Sequence, residues 1–351
     1  MFSVIIPAYN SENTIEKALD SLRNQTKPEL IREVIVINDG SADATADKVE
    51  QYKKRESCNL NIILYNQQNA GVAAARNAGI RMATADYLAF LDSDDCWAPE
   101  KLEWQEKNLK ENPQIDLLCG GLEEGPLRIF LRKDYLLHRL SLKEYCTKSV
   151  IFTSTVVIRR ARVKDAGYFD ESMQYCEDMN YYQRFFEWNQ VYYLPKKLVD
   201  YGIGRKYYGQ SGLSSHLKEM HCGRKRNFQI LRRKKKISFT FYIVMISRVL
   251  PEYYSVLPHS YWYAVAAVLV VRLASYAVSA IKQHRFASVH TLLNKVTGAG
   301  VFFAPYLVNC SFFTVYAIGV CSVAALASTE ELIMHIIGIN DSLGLWDTRN
   351  R

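Results

Sequence analysis

Tyr87-Leu-Ala-Phe-Leu-Asp-Ser-Asp-Asp-Cys-Trp97 decides the fold, because an apolar run of strand length ends there in Asp92, Asp94 and Asp95. A short continuous apolar run fits a strand buried on both faces, and in open α/β sheets ligands collect beyond the carboxyl ends of the strands. On an extended backbone Asp92 and Asp94 share a face, where two carboxylates repel unless a cation lies between them. Hard divalent ions such as Mg²⁺ or Mn²⁺ suit one or two carboxylates plus the oxygens of a diphosphate. Taken alone, the same residues also fit a solvated turn ahead of a helix beginning near Pro99.

Upstream, the pattern of strand, polar tip and helix repeats. Phe2 to Ile6 is expected to be a buried strand stopped by Pro7, with Asn10 or Ser11 capping a helix to about Asn24. Val34 to Ile37 ends in Asn38-Asp39-Gly40-Ser41 and precedes a helix over about Asp43 to Glu56. Next come a strand from Asn61 to Tyr65 and a helix from Val72 to Met82 that carries Arg76 and Asn77. Strands alternating with helices imply a mostly parallel, doubly wound sheet, with Pro7-Ala8-Tyr9, Asp39 and Asp92-Ser93-Asp94 along one edge. No phosphate cradle of the G-x-G-x-x-G or Walker type is present. An acid beside Gly40-Ser41 can instead accept a hydrogen bond from a uracil imide or a ribose hydroxyl, while a metal at Asp94 neutralises a diphosphate. Asp39 equally fits a capping role in a glycine turn.

Four ordered stretches, Phe2 to Asn10, Val34 to Asp43, Asn69 to Gly79 and Tyr87 to Trp97, resemble the family 2 glycosyltransferases of GT-A fold. The resemblance runs on through Ser154 to Arg159 and Gly167 to Glu171 as far as Glu177-Asp178, so it covers roughly residues 1–215. It implies that Pro7, Ala8, Tyr9 and Asp39 hold the nucleotide, with Ser93 and Asp92 in the same nucleotide-sugar site. Arg76 would help line the diphosphate site, Asp92 and Asp94 would serve Mn²⁺ or Mg²⁺, and Asp178 would be the general base. Processive polysaccharide synthases of this superfamily carry Q-x-x-R-W. Here Gln183-Arg-Phe-Phe-Glu-Trp188 has a different spacing, so one sugar per encounter is expected.

Glu177-Asp178 opens a segment whose Tyr182, Phe185 and Phe186 suggest a helix with one apolar face. Acids are favoured in a first helical turn by the helix dipole, so decoration of a helix end explains them too. Glycosyl transfer with inversion needs a carboxylate to take the acceptor hydroxyl proton, and Asp178 fits best, supported by Glu177, with Asp170 and Glu171 as alternatives. Arg184 is placed to pair with the acid or with phosphate. Tyr201 to Ser215 suits a loop that closes over the donor, and His216 is either a further metal ligand or a surface residue.

The chain has 351 residues and a net charge of +8. Arg224 to Lys236 holds eight basic residues and no acidic one, which leaves 36 of each sign elsewhere, so the basicity is a patch. No recognition module accompanies it, and anionic lipid headgroups are the expected partner rather than nucleic acid. Eight cysteines without C-x-x-C spacing indicate reduced thiols, and Met1 to Pro7 lacks the basic start of a signal peptide. The expected organisation is a catalytic domain over 1–215, a basic and amphipathic region over 216–257, hydrophobic membrane segments over 258–329 and a tail over 330–351. Ser260 to Ile281 and about Val301 to Leu326 are the candidate spans; Val296 to Thr329 has no charged residue over 34 positions. The positive-inside rule then puts the chain in the inner membrane with its catalytic domain on the cytoplasmic face.

The function expected is an inverting, metal-dependent glycosyltransferase that takes a sugar from a nucleotide-sugar donor, expected to be UDP-linked, to a lipid-linked or glycan acceptor. Transfer to a polyprenyl phosphate is the alternative chemistry, and a membrane-bound nucleotide-sugar-binding protein without turnover is the alternative class.

Overall fold

The computed structural model describes residues 1–55, 58–123, 127–129, 132–134, 137–202, 216–249 and 313–337, with scattered helical positions between 268 and 300. Two compact units divide the chain, Met1–Tyr242 and Ile243–Arg351.

The first unit alternates strand and helix as its sequence pattern demands. β1 (Phe2–Ala8), α1 (Ile15–Arg23), β2 (Ile31–Asp39), α2 (Thr45–Lys53), β3 (Ile62–Gln67), α3 (Val72–Met82) and β4 (Tyr87–Phe90) follow in order. After them come β5 (Cys96–Trp97), α4 (Lys101–Glu111), β6 (Leu117–Gly121), the hairpin β7 (Leu127–Ile129) and β8 (Arg132–Asp134), β9 (His138–Arg139) and α5 (Leu142–Lys148). β10 (Val157–Arg159), α6 (Val163–Ala166), α7 (Glu177–Phe185), β11 (Val191–Lys197), β12 (Val199–Asp200) and α8 (Leu217–Arg233) complete it, and α9 (Phe239–Val249) begins in it and runs past its boundary at Tyr242.

The main sheet has the order β3-β2-β1-β4-β10-β6-β11-β9. β1 pairs in parallel with β2 on one side and with β4 on the other, and β2 pairs in parallel with β3. The chain therefore steps outward from β1 in one direction and returns to its other side with β4. That reversal opens a crevice at the carboxyl ends of β1 and β4, the switch point where open α/β sheets bind ligands. Val4, Ile6, Val34, Val36 and Ala89 are fully buried beneath it, so the strand tips stand on a rigid floor.

β1 does not stop at Pro7 as the sequence suggests; it continues in register with β2 to Ala8. Backbone groups of successive strand residues point to alternate sides, and the Ile5 carbonyl accepts from Leu91 N–H, so Pro7 also faces β4. The β1–β4 ladder has ended by then, at Ile5 and Phe90, and the missing N–H of proline costs no sheet bond. α1 starts at Ile15, later than expected, although the Ser11 carbonyl already accepts from Thr14 and Ile15 N–H.

α3 owes its placement to two glycines. Gly71 precedes its first turn at φ 91°, and a Cβ on Gly79 would lie 2.4 Å from Ile5 Cγ2, so only glycine lets this helix lie against β1. β10 enters antiparallel between β4 and β6, with Val157 opposite Ala89. Residues just before β10 thereby run beside the end of β4.

α8 falls within the first compact unit although composition changes at 215. It buries Gly223, Asn227, Phe228 and Leu231, and Asn227 Nδ2 donates to the Cys176 carbonyl at 2.9 Å, at the entrance to α7. In the second unit, α10 (Phe313–Ile337) holds a 20-residue stretch, Val315–Met334, that is apolar and long enough to cross a membrane. The helix itself continues through Glu330 and Glu331 to Ile337, since glutamate continues a helix readily. Outside the described residues lie 203–215, 250–267, 282–295, 301–312, 338–351 and parts of 268–281.

Candidate active site

Three strand tips are latched to one another at the crevice. Ser11 Oγ and Ser93 Oγ lie 2.7 Å apart, joining the loop after β1 to the loop after β4. Asn10 Oδ1 accepts from Ala42 N–H at 2.9 Å and Asn10 N–H donates to Ser41 Oγ at 3.0 Å, joining β1 to β2. Pro7 and Ala8 are buried at the strand end while Tyr9 is exposed.

Asp39 is buried at the tip of β2. Its Oδ1 accepts from Gln67 Nε2 at 2.7 Å and Ala70 N–H at 2.9 Å, and its Oδ2 accepts from Gly71 N–H at 2.8 Å. These bonds fix the turn that launches α3. A carboxylate offers about four acceptor positions, so one remains after these three.

The acids after β4 separate into two kinds. Asp95 is buried, with Oδ2 accepting from Ser154 Oγ at 2.5 Å and Oδ1 accepting from Gly202 N–H at 2.7 Å. Burial and the neighbouring Asp92 push its carboxyl well above the usual range against those two bonds. Ser154 also accepts from Asp92 N–H at 3.0 Å, and its carbonyl accepts from Trp97 Nε1 at 2.8 Å. This serine, carried by the 3₁₀ turn Thr153–Thr155 ahead of β10, thus sets the whole acid loop. Asp92 and Asp94 are left half-buried at the surface of the crevice.

Arg76 holds the centre. Only 4% exposed, it donates from Nη2 to Asp92 Oδ1 and from Nη1 to Glu177 Oε1, each at 2.8 Å. Its guanidinium lies 5.4 Å from the Phe169 ring centroid. Phe169 in turn stacks on Tyr181 at 3.9 Å and is clamped by Asn77, which donates to its carbonyl and accepts from its N–H. One buried cation therefore ties the tip of β4 to the start of α7, and its two terminal nitrogens are committed to carboxylates.

Glu177 is 5% exposed and Asp178 is half-buried. Burial is the main force raising the Asp178 carboxyl above its ordinary value; Arg76 pulls it down and Asp92 pushes it up. Glu177 is raised by burial and by Asp178, again against Arg76. A carboxylate raised in this way is a stronger base than one in water. Arg224, the first of the basic run on α8, also acts on Asp178, so that helix contributes to the site.

Among the alternatives for the base, Asp170 accepts from both the hydroxyl and N–H of Ser172, and those bonds lower its carboxyl. Glu171 accepts from Asn77 Nδ2 at 2.8 Å. Arg184 donates to the carbonyls of Ala166 and Tyr168, away from the acid pair. His216 is exposed beside Tyr175, with ring centroids 5.7 Å apart.

Among the described residues no three His, Cys, Asp or Glu side chains converge into a metal cluster. The donor set at the crevice is instead Asp92 and Asp94. Two half-buried carboxylates that would leave most positions to water and phosphate oxygens fit Mg²⁺ or Mn²⁺, whose preferred sites have that composition.

Residues 3–159 match the model of glycosyl transferase family 2. The chain carries a family 2 glycosyltransferase domain. Over 207 residues the chain is 30% identical to an uncharacterized glycosyltransferase of Rickettsia typhi, covering 57% of this chain and 63% of that one. Over 122 residues it is 39% identical to the poly(ribitol-phosphate) beta-glucosyltransferase of Bacillus spizizenii, covering 34% and 19%. The chain thus spans less than two thirds of either relative. The structure of S. aureus TarS 1-349 in complex with UDP-GlcNAc superposes with a TM-score of 0.55 over 96% of this chain and 92% of that one at 18% identity, a likeness that shows the GT-A fold.

Sequence reasoning missed Ser154 as an organiser, Gly202 as a partner of Asp95 and the Arg76–Glu177 pair. All four lay within stretches that the sequence singled out, but nothing in those stretches paired them.

Proposed function

We propose that this family 2 domain catalyses inverting, divalent-metal-dependent transfer of a sugar from a uridine-diphosphate donor to a hydroxyl of a lipid-linked glycan. The observation that carries the proposal is the Arg76 bridge, which sets the donor-side acid Asp92 and the base-side pair Glu177–Asp178 around one crevice.

In this reading Asp39 uses its remaining acceptor position on the uracil imide, and the loops of Tyr9 and Ser93 enclose the nucleoside. Asp92 and Asp94 would hold a divalent cation, which when bound would supply positive charge to the departing diphosphate. Asp178 takes the proton of the acceptor hydroxyl as that oxygen bonds to the anomeric carbon, and the bond from this carbon to the diphosphate breaks on the opposite face. The raised Asp178 carboxyl gives the proton a competent resting place, and no second nucleophile is required. Arg76 acts by position, keeping both carboxylates at fixed separation and opposing their mutual repulsion.

The UDP-GlcNAc of the structural neighbour supports a uridine donor. Exposed Val315, Ile318 and Leu326 on α10 support membrane association and hence a lipid-linked acceptor, with the catalytic unit on the cytoplasmic face of the inner membrane.

Nucleoside diphosphate release from a panel of UDP- and GDP-sugars, with Mn²⁺ and membrane lipid extract as acceptor source, tests the proposal. Release from a UDP-sugar that stops on chelation and in Asp94→Ala is expected; turnover of no donor would remove the transferase reading.

A further inference from the structure

The far end of α7 carries a second surface whose composition the transferase chemistry does not use. Trp188, just beyond the helix, is 73% exposed, the most exposed aromatic among the described residues of the first unit. Beside it, the end of α8 and the following turn bring Arg232 to Lys236, five consecutive basic residues of which Arg233 to Lys236 are exposed. Lys236 Nζ lies 5.8 Å from the Trp188 ring centroid, and Arg232 lies 5.7 Å from the ring of Phe239, itself 41% exposed. Two exposed aromatic rings some fifty residues apart in the chain thus each have a cation of this basic run against them.

The turn itself holds a second observation. Lys235 sits at φ 56°, its N–H bonded to the Arg232 carbonyl and the Lys236 N–H bonded to the Leu231 carbonyl. This is the closing motif of a helix in which the left-handed position normally belongs to glycine. A lysine there costs conformational energy that glycine would not. Glu187 lies 3.5 Å from Lys234 and 3.7 Å from Lys236, which holds the lysine cluster against the Trp188 turn and leaves the patch strongly positive.

Tryptophan together with lysine and arginine at one level is the composition of a surface seated among lipid headgroups, where the ring enters the interface and the cations meet phosphates. The chain leaves this patch directly into α9, Phe-Thr-Phe-Tyr-Ile-Val-Met-Ile, which is apolar. We infer that Trp188, Phe239 and the basic turn Arg232–Lys236 form a docking face for an anionic phospholipid bilayer. The inference deepens, and rests on, the membrane-acceptor reading. It adds a geometric consequence, because the docking residue and the acid pair occupy opposite ends of α7. Nine helical residues span about 13 Å, so docking would hold the acid pair within reach of an acceptor displayed just above the headgroups.

The test uses the full chain mixed with vesicles of brominated lipid, rich either in phosphatidylglycerol or in phosphatidylcholine alone, with tryptophan fluorescence as the readout. The part of the quenching that disappears in Trp188→Phe reports that residue alone. It is expected to be large with phosphatidylglycerol, to fall with added salt and to be nearly absent with phosphatidylcholine. Each basic residue near an anionic surface is worth about a fivefold change in partitioning, so replacing Lys234, Lys235 and Lys236 by Gln together is expected to weaken docking roughly a hundredfold. Equal quenching with both lipids, or no Trp188 component with either, would overturn the inference. Donor turnover on a soluble glycan acceptor, measured in parallel, is expected to be unchanged in these variants. Its absence from the parent chain would count against the transferase reading and leave the quenching result to stand by itself.

Discussion

Arg76→Met removes the cation from a cluster in which Asp92, Glu177 and Asp178 already repel one another. Methionine roughly preserves the stem of the side chain, so what is lost is charge and two hydrogen bonds. The two acids are affected unequally, since the Asp92 side chain is 31% exposed and rehydrates, whereas that of Glu177 is 7% exposed and does not. Deleting one partner of a buried ion pair costs about 3–5 kcal/mol while the orphaned charge remains ionised. The Glu177 carboxyl is already raised by burial and by Asp178, with Arg76 opposing, so the substitution raises it further. A carboxyl whose folded value lies above its unfolded value binds a proton in the native state that the unfolded chain lacks, and stability then falls as pH rises through that interval. Arg76→Met is therefore expected to be less stable than the parent by about 3–5 kcal/mol near pH 8, with the deficit shrinking toward about pH 5 as Glu177 takes up a proton. Urea unfolding followed by tryptophan fluorescence across this range measures the difference directly. Arg76→Lys, which keeps the charge but lacks a planar fork able to hold both carboxylates, is expected to fall between the two. Parent-like stability near pH 8, or a deficit that does not change with pH, would refute the reasoning.

Other substitutions probe the supports of the site. Ser154→Ala removes the hydroxyl that donates to Asp95 and accepts from Asp92 N–H, and is expected to cost about 1–3 kcal/mol and to raise the donor KM; an unchanged KM would show that the acid loop is set by other contacts. Gly79→Ala places a Cβ against Ile5 and is expected to destabilise by about 1–3 kcal/mol while also lowering activity, since α3 carries Arg76; a thermal melt with parallel turnover checks both. Lys101, buried in α4 with its amine 2.8 Å from Gln105 Oε1 and over the Trp97 ring, has its ionisation lowered by burial. The unfolded chain then binds the extra proton, so the parent gains stability as pH rises. Lys101→Met should compare more favourably with the parent at about pH 6 than at about pH 9, and a constant difference in melting temperature would count against a neutral amine.

Much of this architecture was legible in the residues, for a local reason. Apolar runs ending in polar tips, as at Asn10, Asp39 and Asp92, announce strands buried on both faces, and Gly71 announces the start of α3. The Ser154 network was hidden because it depends on β10 being inserted antiparallel beside β4, from sixty residues further along the chain. Arg76 was visible as a charged residue on a helix near the donor end, and the resemblance gave it to the diphosphate. Its partner Glu177, 101 residues away, appears only once α7 is folded onto α3 through Phe169 and Asn77. The composition break at 215 marks a change in surface chemistry and not the end of packing, since α8 alternates buried Asn227, Phe228 and Leu231 with exposed cations. Lys101 gave no sequence signal at all, because burial of a single amine is decided by what packs around it.

Sugar transfer by Asp178→Asn, measured in a single turnover beside donor binding by calorimetry, tests the central claim most directly. A carboxylate that takes the acceptor proton contributes about 10²–10⁴-fold, so the transfer rate is predicted to fall by that factor with the donor Kd unchanged. Transfer at the parent rate, or a loss of donor binding that accounts for the whole defect, would contradict a base at the start of α7.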